Sequence, residues 1–185
     1  MLKKRIISPA LAVCCALLVA TTLSAQPPGS RGVAAGGGHL TIAGVIDVQF
    51  SFTAVQTTSH GDATGRAHHA LTLAGEAIEF HTEVTCMTFD PVAKRAWIAG
   101  LILRNDSTHP SFTGEIHQPG RDIWFRVVDY GPGGSGDRQD RGTFVGFEGS
   151  AGIITSQEYC DTMPWPDDDA RTNPVTEGNL QVLGG

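Results

Sequence analysis

The alternation of apolar and polar residues constrains this chain more than any other feature of its sequence. Between Leu40 and Phe52, one parity carries apolar side chains and the other carries mostly polar ones. A period of two over this length is typical of a β-strand with one face buried. Gly44 lies within the run and predicts a bulge or bend, because so long a strand usually curves or breaks.

The next two strands can be aligned with each other by their side chains. A two-residue turn at Ala74-Gly75 places apolar residues opposite apolar residues and opposite charges opposite each other, which a correct register should show. The predicted pairs are Leu71 with Ile78 and His69 with Phe80 on the inner face, and His68 with His81 and Arg66 with Glu83 on the outer face.

A second hairpin follows, with a predicted four-residue loop over 90–93. This loop places Cys86 opposite Trp97, and the parity of the strand places Cys86 inward together with Val84. Residues 95–103 are apolar on both faces, so we expect this strand to be central or covered.

Several shorter alternating segments complete the pattern, and no amphipathic helix of useful length is predicted. Ile153-Ile154 is expected to form a short strand or turn before Cys160, and Leu180 and Val182 a last strand beside residues 39–46. The predicted fold is all-β: one domain, an antiparallel β-barrel or rolled β-sandwich of about seven to eight strands. The near-consecutive hairpins favour an up-and-down barrel.

The N-terminus has the order of a secretory signal. A basic start is followed by an apolar run over 6–23 and by small residues at Ser24-Ala25, which predicts a cleavable signal peptide over 1–25. A membrane anchor and a lipid on Cys14 are the alternatives. Residues 26–38 are rich in Gly and Pro and predict a flexible linker before a domain at 39–185. We expect a secreted, periplasmic or cell-surface protein with no membrane segment after cleavage.

Cysteine usage agrees with export. Two of the four cysteines lie within the signal, which leaves Cys86 and Cys160 in a chain bound for an oxidising compartment. This pattern predicts one disulfide, with two free thiols as the alternative. The formal net charge of −6 becomes more negative when the cations of the signal are removed. A chain this acidic offers no electrostatic surface for nucleic acid or an anionic membrane.

Two groups of side chains are candidates for ion binding. His68 and His81 face each other on the outer face, with Glu79 and Glu83 on the same strand as His81. Imidazoles and a carboxylate suit a transition metal, although an ordinary polar sheet face produces the same pattern. The second group is Asp129, Asp137 and Asp140 around a glycine-rich loop, which offers hard oxygen ligands for calcium. Such loops also occur without an ion, and no other cofactor is indicated.

Catalytic motifs are not found. Residues 133–137 resemble a serine elbow around Ser135 but lack its final glycine and its strand-turn-helix context. No catalytic residue is therefore assigned, and no cysteine is left as a nucleophile if the disulfide forms.

Five segments spread over residues 36–160 resemble a group of bacterial exported β-domains with no established enzyme activity. They are Gly36-Gly37-Gly38-His39-Leu40, Phe50-Ser51-Phe52, Glu83-Val84-Thr85-Cys86, Arg95-Ala96-Trp97-Ile98-Ala99-Gly100 and Phe125-Arg126-Val127-Val128-Asp129-Tyr130-Gly131. The group usually has Asp-Asn-Gly where this chain has Asp129-Tyr130-Gly131. The resemblance implies export and a β fold, and it implies no catalytic residue.

The sequence therefore predicts an exported, non-enzymatic domain with an interaction or structural role and a protein or small molecule as its partner. One alternative is a barrel that binds a small ligand in its interior. The other is a secreted hydrolase whose residues converge without a motif. The interior predicted for the ligand-binding barrel is lined by Phe50, Phe52, Phe80, Trp97 and Phe125.

Overall fold

The computed structural model describes residues 31–57, 61–131, 138–167 and 171–184. The strands are β1 (Gly32–Ile42), β2 (Ile46–Gln56), β3 (Asp62–Leu73), β4 (Glu76–Asp90), β5 (Arg95–Asn105), β6 (Asp122–Val128), β7 (Arg141–Gly142), β8 (Gly146–Phe147) and β9 (Asn173–Gly184). One α-helix, α1, spans Ser156–Thr162, and short 3₁₀ turns lie at Pro110–Phe112, Glu115–His117 and Ser150–Gly152. Among these described residues, no helix is both long enough and apolar enough to cross a membrane.

The strands form a closed antiparallel barrel. Going round it, each strand pairs with the next in the order β1, β2, β3, β4, β5, β6, β7, β9, and β9 pairs with β1. Strand β8 is an extra strand beside β6. The predicted all-β antiparallel barrel is confirmed, and the near-consecutive hairpins do wind up and down.

The long alternating run at the start of the domain is a hairpin. Ala43 and Gly44 have φ values of 51° and 74°, and the chain reverses there, so that Ile42 pairs with Ile46. The break predicted at Gly44 is therefore a tight turn between β1 and β2. Glycine suits this position because it adopts positive φ without steric cost.

The linker prediction is wrong for residues 32–38, which form most of β1 and pair with both β2 and β9. A Cβ atom at Gly38 would lie 1.8 Å from the backbone oxygen of Glu177, and the φ of Gly38 is 146°. The glycines that resemble a linker in composition thus allow close approach of neighbouring strands. Residues 26–30 and the predicted signal over 1–25 lie outside the described residues.

The β3–β4 hairpin is confirmed in every predicted pair. Leu71 pairs with Ile78, His69 with Phe80, His68 with His81, and Arg66 with Glu83. The turn at Ala74-Gly75 has two positive φ values, 54° and 87°. Both central residues of a type I′ turn have positive φ, and this turn matches the twist of the two strands it joins.

The predicted β4–β5 register is wrong by two residues. The turn spans 91–94, and the Asp90 carboxylate accepts hydrogen bonds from the backbone N–H groups of Val92 and Ala93, at 2.8 and 3.0 Å. An aspartate that bonds the backbone two residues ahead favours a turn there. As a result Cys86 pairs with Ala99, and Trp97 pairs with Thr88.

Cys86 also lies on the opposite face from the one predicted. The pairing of β4 with β5 shifts between Val84 and Cys86, and such a bulge changes which side chains face inward. Val84 and Met87 pack in the barrel interior, whereas Cys86 is buried in a separate cluster under α1. The predicted Cys86–Cys160 disulfide is confirmed, and it ties α1 to the outside of the barrel.

The sequence analysis missed helix α1, which begins at Ser156, just after Ile153-Ile154. Its signal is the Thr-x-x-Glu pattern of a capping box: Thr155 Oγ1 accepts the N–H of Glu158 at 3.2 Å, and the Glu158 carboxylate accepts the N–H of Ile154, one residue before the N-cap, at 2.9 Å. The helix covers the outer face of β5 and β6, which explains why β5 is apolar on both faces. The covered cluster contains Cys86, Trp97, Ala99, Trp124, Ile153, Tyr159 and Cys160.

Candidate metal centre

The β3–β4 hairpin builds a compact cluster on the outside of the barrel. Its register places His68 directly opposite His81, and the two rings stack with centroids 4.5 Å apart. Glu79 precedes His81 by two residues on β4, so its side chain lies on the same outer face. The cluster is defined here as His68, Glu79 and His81.

Both imidazoles direct the same nitrogen at one carboxylate oxygen. His68 Nε2 lies 2.9 Å from Glu79 Oε1, and His81 Nε2 lies 3.2 Å from it. One ligand atom from each of the three residues lies within 4.8 Å of the others. In a tetrahedral zinc site with bonds of about 2.0–2.1 Å, two ligand atoms are separated by about 3.4 Å. Small side-chain movements would therefore bring this set onto one ion.

The electrostatics of the cluster suit a cation. The three side chains are about one-third exposed, at 32%, 32% and 28% for His68, Glu79 and His81. The hydrogen bond with His68 is the main cause that lowers the pKa of Glu79. Glu79 is thus a carboxylate at neutral pH, which is the form that binds a metal.

Arg104 and Asp106 flank the cluster. Arg104 Nη2 lies 2.6 Å from His81 Nε2, and Arg104 Nε donates to Asp106 Oδ2 at 2.6 Å. Asp106 Oδ2 is also 3.4 Å from His81 Nε2, but it pairs with Arg104 and does not belong to the three-residue ligand group. Because a guanidinium only donates, this contact is a hydrogen bond in the tautomer that leaves Nε2 of His81 unprotonated, whereas the contacts of Nε2 with the Glu79 and Asp106 carboxylates are hydrogen bonds in the other tautomer. A metal ion would compete with Arg104 for that lone pair.

The segment after β5 holds Glu79 and Asp106 in place. Ser107 Oγ accepts the backbone N–H of Glu79 at 2.9 Å, and the N–H of Asp106 donates to the Glu79 carbonyl at 3.0 Å. This segment therefore continues the hydrogen bonding along the edge of β4. Glu83, which the sequence suggested as a flanking carboxylate, instead pairs with Arg66 at 2.9 Å. Arg104 lies on β5, where the β4–β5 register pairs it with His81, and Asp106 depends on the path of the chain just after β5.

The predicted calcium ligands occupy a different part of the molecule. Asp129 and Asp140 are buried, and each carboxylate accepts two backbone hydrogen bonds. Asp140 accepts from Tyr130 and Leu180 at 2.9 and 2.8 Å, and Asp129 accepts from Gly131 and Val182 at 2.8 and 3.0 Å. Asp137 lies outside the described residues, as does Ser135. Calcium binding stays a prediction, and the observed bonds give Asp129 and Asp140 a structural role.

The barrel interior contains the polar side chain of His69, which the sequence analysis placed on the inner face opposite Phe80. His69 is completely buried, and neither ring nitrogen has a hydrogen-bond partner among the described residues. Phe50 and Phe125 pack against the ring, with centroids at 6.1 and 4.8 Å. Burial lowers the pKa of His69 to about 3, so the ring is neutral near pH 7.

The aromatic lining predicted for a ligand-binding interior is only partly correct. Phe50, Phe52 and Phe125 belong to the interior core, where Phe52 meets Phe125 edge to face at 5.4 Å. Phe80 packs at one end of the barrel with Phe112 and Phe147. Trp97 lies outside the barrel wall under α1, where its Nε1 donates to the Pro164 carbonyl at 2.9 Å. Its position follows from the β4–β5 register described above.

The sequence matches no family model, and no curated protein or solved structure shows significant similarity to the chain. The resemblance to bacterial exported β-domains therefore stays a prediction, and the site is interpreted from its own geometry.

Proposed function

We propose that this protein is an exported, non-enzymatic β-barrel domain that binds a divalent transition-metal ion on its outer wall. The observation that supports this proposal is the convergence of His68 Nε2 and His81 Nε2 on a single oxygen of Glu79. Imidazole and carboxylate together suit zinc, copper, nickel or cobalt better than calcium or magnesium.

Export is supported by the N-terminal signal pattern and by the disulfide. Disulfides form and persist in oxidising compartments, and Cys86–Cys160 joins two buried side chains. An exported domain meets metal ions outside the cytoplasm, where a surface site with side chains about one-third exposed is accessible to them. We therefore propose a secreted, periplasmic or cell-surface location.

The proposal is tested by titrating zinc chloride into the purified full chain by calorimetry. We expect one zinc ion per chain in wild type. Removal of a ligand in His68→Ala or Glu79→Gln should weaken binding by at least about 100-fold, since even outer-shell partners usually change metal affinity 10–100-fold.

Matched controls on the same outer face keep the experiment specific. His39→Ala and Glu83→Gln remove the same side-chain types from residues that pair with Asp47 and Arg66 instead of the cluster. Zinc affinity should stay close to wild type in both. Equal zinc affinity in wild type and His68→Ala would overturn the assignment of the site. Turnover of ester or peptide substrates that disappears in His68→Ala would overturn the non-enzymatic role.

A further inference from the structure

We propose that the metal-loaded cluster, together with Arg104, binds an oxyanion such as a carboxylate or a phosphate. This inference rests on the proposed metal site and names the ligand that completes it. The anion would bind the metal ion through one oxygen and the Arg104 guanidinium through another.

The first step of the argument is coordination. His68, Glu79 and His81 supply three ligand atoms within 4.8 Å of one another. A four-coordinate ion held by three protein ligands keeps one position for an outside molecule, as catalytic zinc sites do. The Arg104 side chain is 60% exposed, so this side of the cluster opens to solvent.

The second step is charge. Two neutral imidazoles and one carboxylate leave a net charge of +1 on a bound divalent ion, and the nearby Arg104 and Asp106 neutralise each other. Arg104 Nη2 lies 2.6 Å from His81 Nε2, which is the atom that would bind the metal. A metal ion there would take the lone pair that Arg104 uses and would repel the guanidinium. An anion between the two cations removes this repulsion and accepts the freed N–H.

The third step is orientation. Asp106 Oδ2 accepts a hydrogen bond from Arg104 Nε at 2.6 Å, while Arg104 Nη2 points to the cluster. The guanidinium is thus anchored at Nε by Asp106, and its Nη2 lies at the cluster. A planar guanidinium recognises carboxylates and phosphates better than a lysine does, because its donors match their oxygens.

The experiment uses the full chain saturated with cobalt(II) chloride in a non-coordinating buffer. Acetate and inorganic phosphate are titrated in separate arms, and the visible absorption of the bound cobalt is recorded. We expect a saturable spectral change in at least one arm, and the arms distinguish a carboxylate from a phosphate. In Arg104→Gln the anion should bind about tenfold more weakly or worse, the effect of losing a charged hydrogen bond.

Arg66→Gln is the matched control, because it removes the same charge from the same face at a residue paired with Glu83. It should leave the anion titration unchanged. Circular dichroism of Arg104→Gln checks that the barrel is folded. Cobalt binding with no anion dependence, or with the same anion affinity in Arg104→Gln, overturns this inference and leaves the metal site standing. Failure of wild type to bind cobalt overturns both.

Discussion

The barrel is closed by two regions that use different hydrogen bonds. The wall, strands β1 to β5 over residues 32–105, consists of strands 11 to 15 residues long. Backbone ladders join its strands over most of their length. The seam, strands β6 to β9 over residues 122–184, contains two strands of only 2 residues. Backbone ladders alone therefore cannot complete the seam.

Aspartate side chains replace the missing ladder in the seam. Strand β9 pairs with β7 only at Asn173 and Pro174, and beyond them the N–H groups of Leu180 and Val182 point away from β1. Asp140 and Asp129 accept these two N–H groups. A buried donor must find an acceptor, and a carboxylate supplies one where no strand is available. The wall thus depends on register, whereas the seam depends on particular side chains.

The disulfide joins the two regions, and its removal should have the largest effect. It connects Cys86 of β4 to Cys160 of α1, 74 residues away. Replacing both cysteines with alanine should lower the free energy of unfolding by about 4 kcal/mol on the chain-entropy model. Urea unfolding measures this change. In hydrogen exchange, α1 and β6 should lose protection while β2 and β3 keep it. Uniform loss of protection would contradict the division into wall and seam.

Asp140→Ala tests the seam directly. The substitution removes a buried carboxylate and leaves the N–H groups of Tyr130 and Leu180 without their acceptor. We expect a loss of about 3 kcal/mol in the free energy of unfolding, measured in urea. The control is Asp47→Ala, which removes an exposed carboxylate that pairs with His39 on the wall, and it should change stability by less than about 1 kcal/mol. Equal effects of the two substitutions would show that the seam does not depend on its aspartates.

His69→Phe changes a side chain of the wall that faces the barrel interior, and it should have the smallest effect on the free energy of unfolding at neutral pH. Burial lowers the pKa of His69 to about 3, so below about pH 6.5 the unfolded chain binds a proton that the folded chain does not. Stability is then lost as pH falls towards 3, by up to about 1.4 kcal/mol per pH unit. In His69→Phe this contribution disappears. The free energy of unfolding of His69→Phe should therefore rise relative to that of wild type as pH falls from about 6 to about 4.

The pH experiment has a control of opposite sign. The hydrogen bond with Asp47 is the main cause that raises the pKa of His39. The contribution of this pair to the free energy of unfolding is therefore present at low pH and is lost as pH rises. His39→Gln should therefore lose stability relative to wild type as pH falls. Burial also lowers the pKa of His117, which keeps some acid sensitivity in every variant. Parallel pH profiles for His69→Phe and wild type would contradict the neutral state of His69.

The sequence predicted those parts of the fold that are set by residues close together in the chain. The β3–β4 register followed from matching side chains on both sides of a short turn, and with it the facing pair His68 and His81. The β4–β5 register was not predictable in the same way, because a bulge near Cys86 breaks the period of two. Helix α1 escaped a search for amphipathic periodicity because it has only 7 residues, although its capping box was in the sequence.

The metal centre likewise contains residues that the sequence predicted and residues that it did not. Glu79, His81 and His68 lie on one hairpin, so the alternation of side chains was enough to place them on one face. Arg104 comes to the cluster because the β4–β5 register, which the sequence did not predict, pairs it with His81, and Asp106 comes because the chain after β5 continues along the edge of β4.

The sequence by itself determined the all-β class, the disulfide pair and the outward-facing histidines. Each of these follows from a period of two, from a cysteine count or from a short turn, and none requires knowledge of distant contacts. Only the tertiary structure decided that the glycines at 36–38 form a strand, that Asp129 and Asp140 close the barrel, and that Arg104 borders the cluster. These roles depend on contacts between residues far apart in the chain, and a side chain has the same local pattern whether such a partner is present or absent.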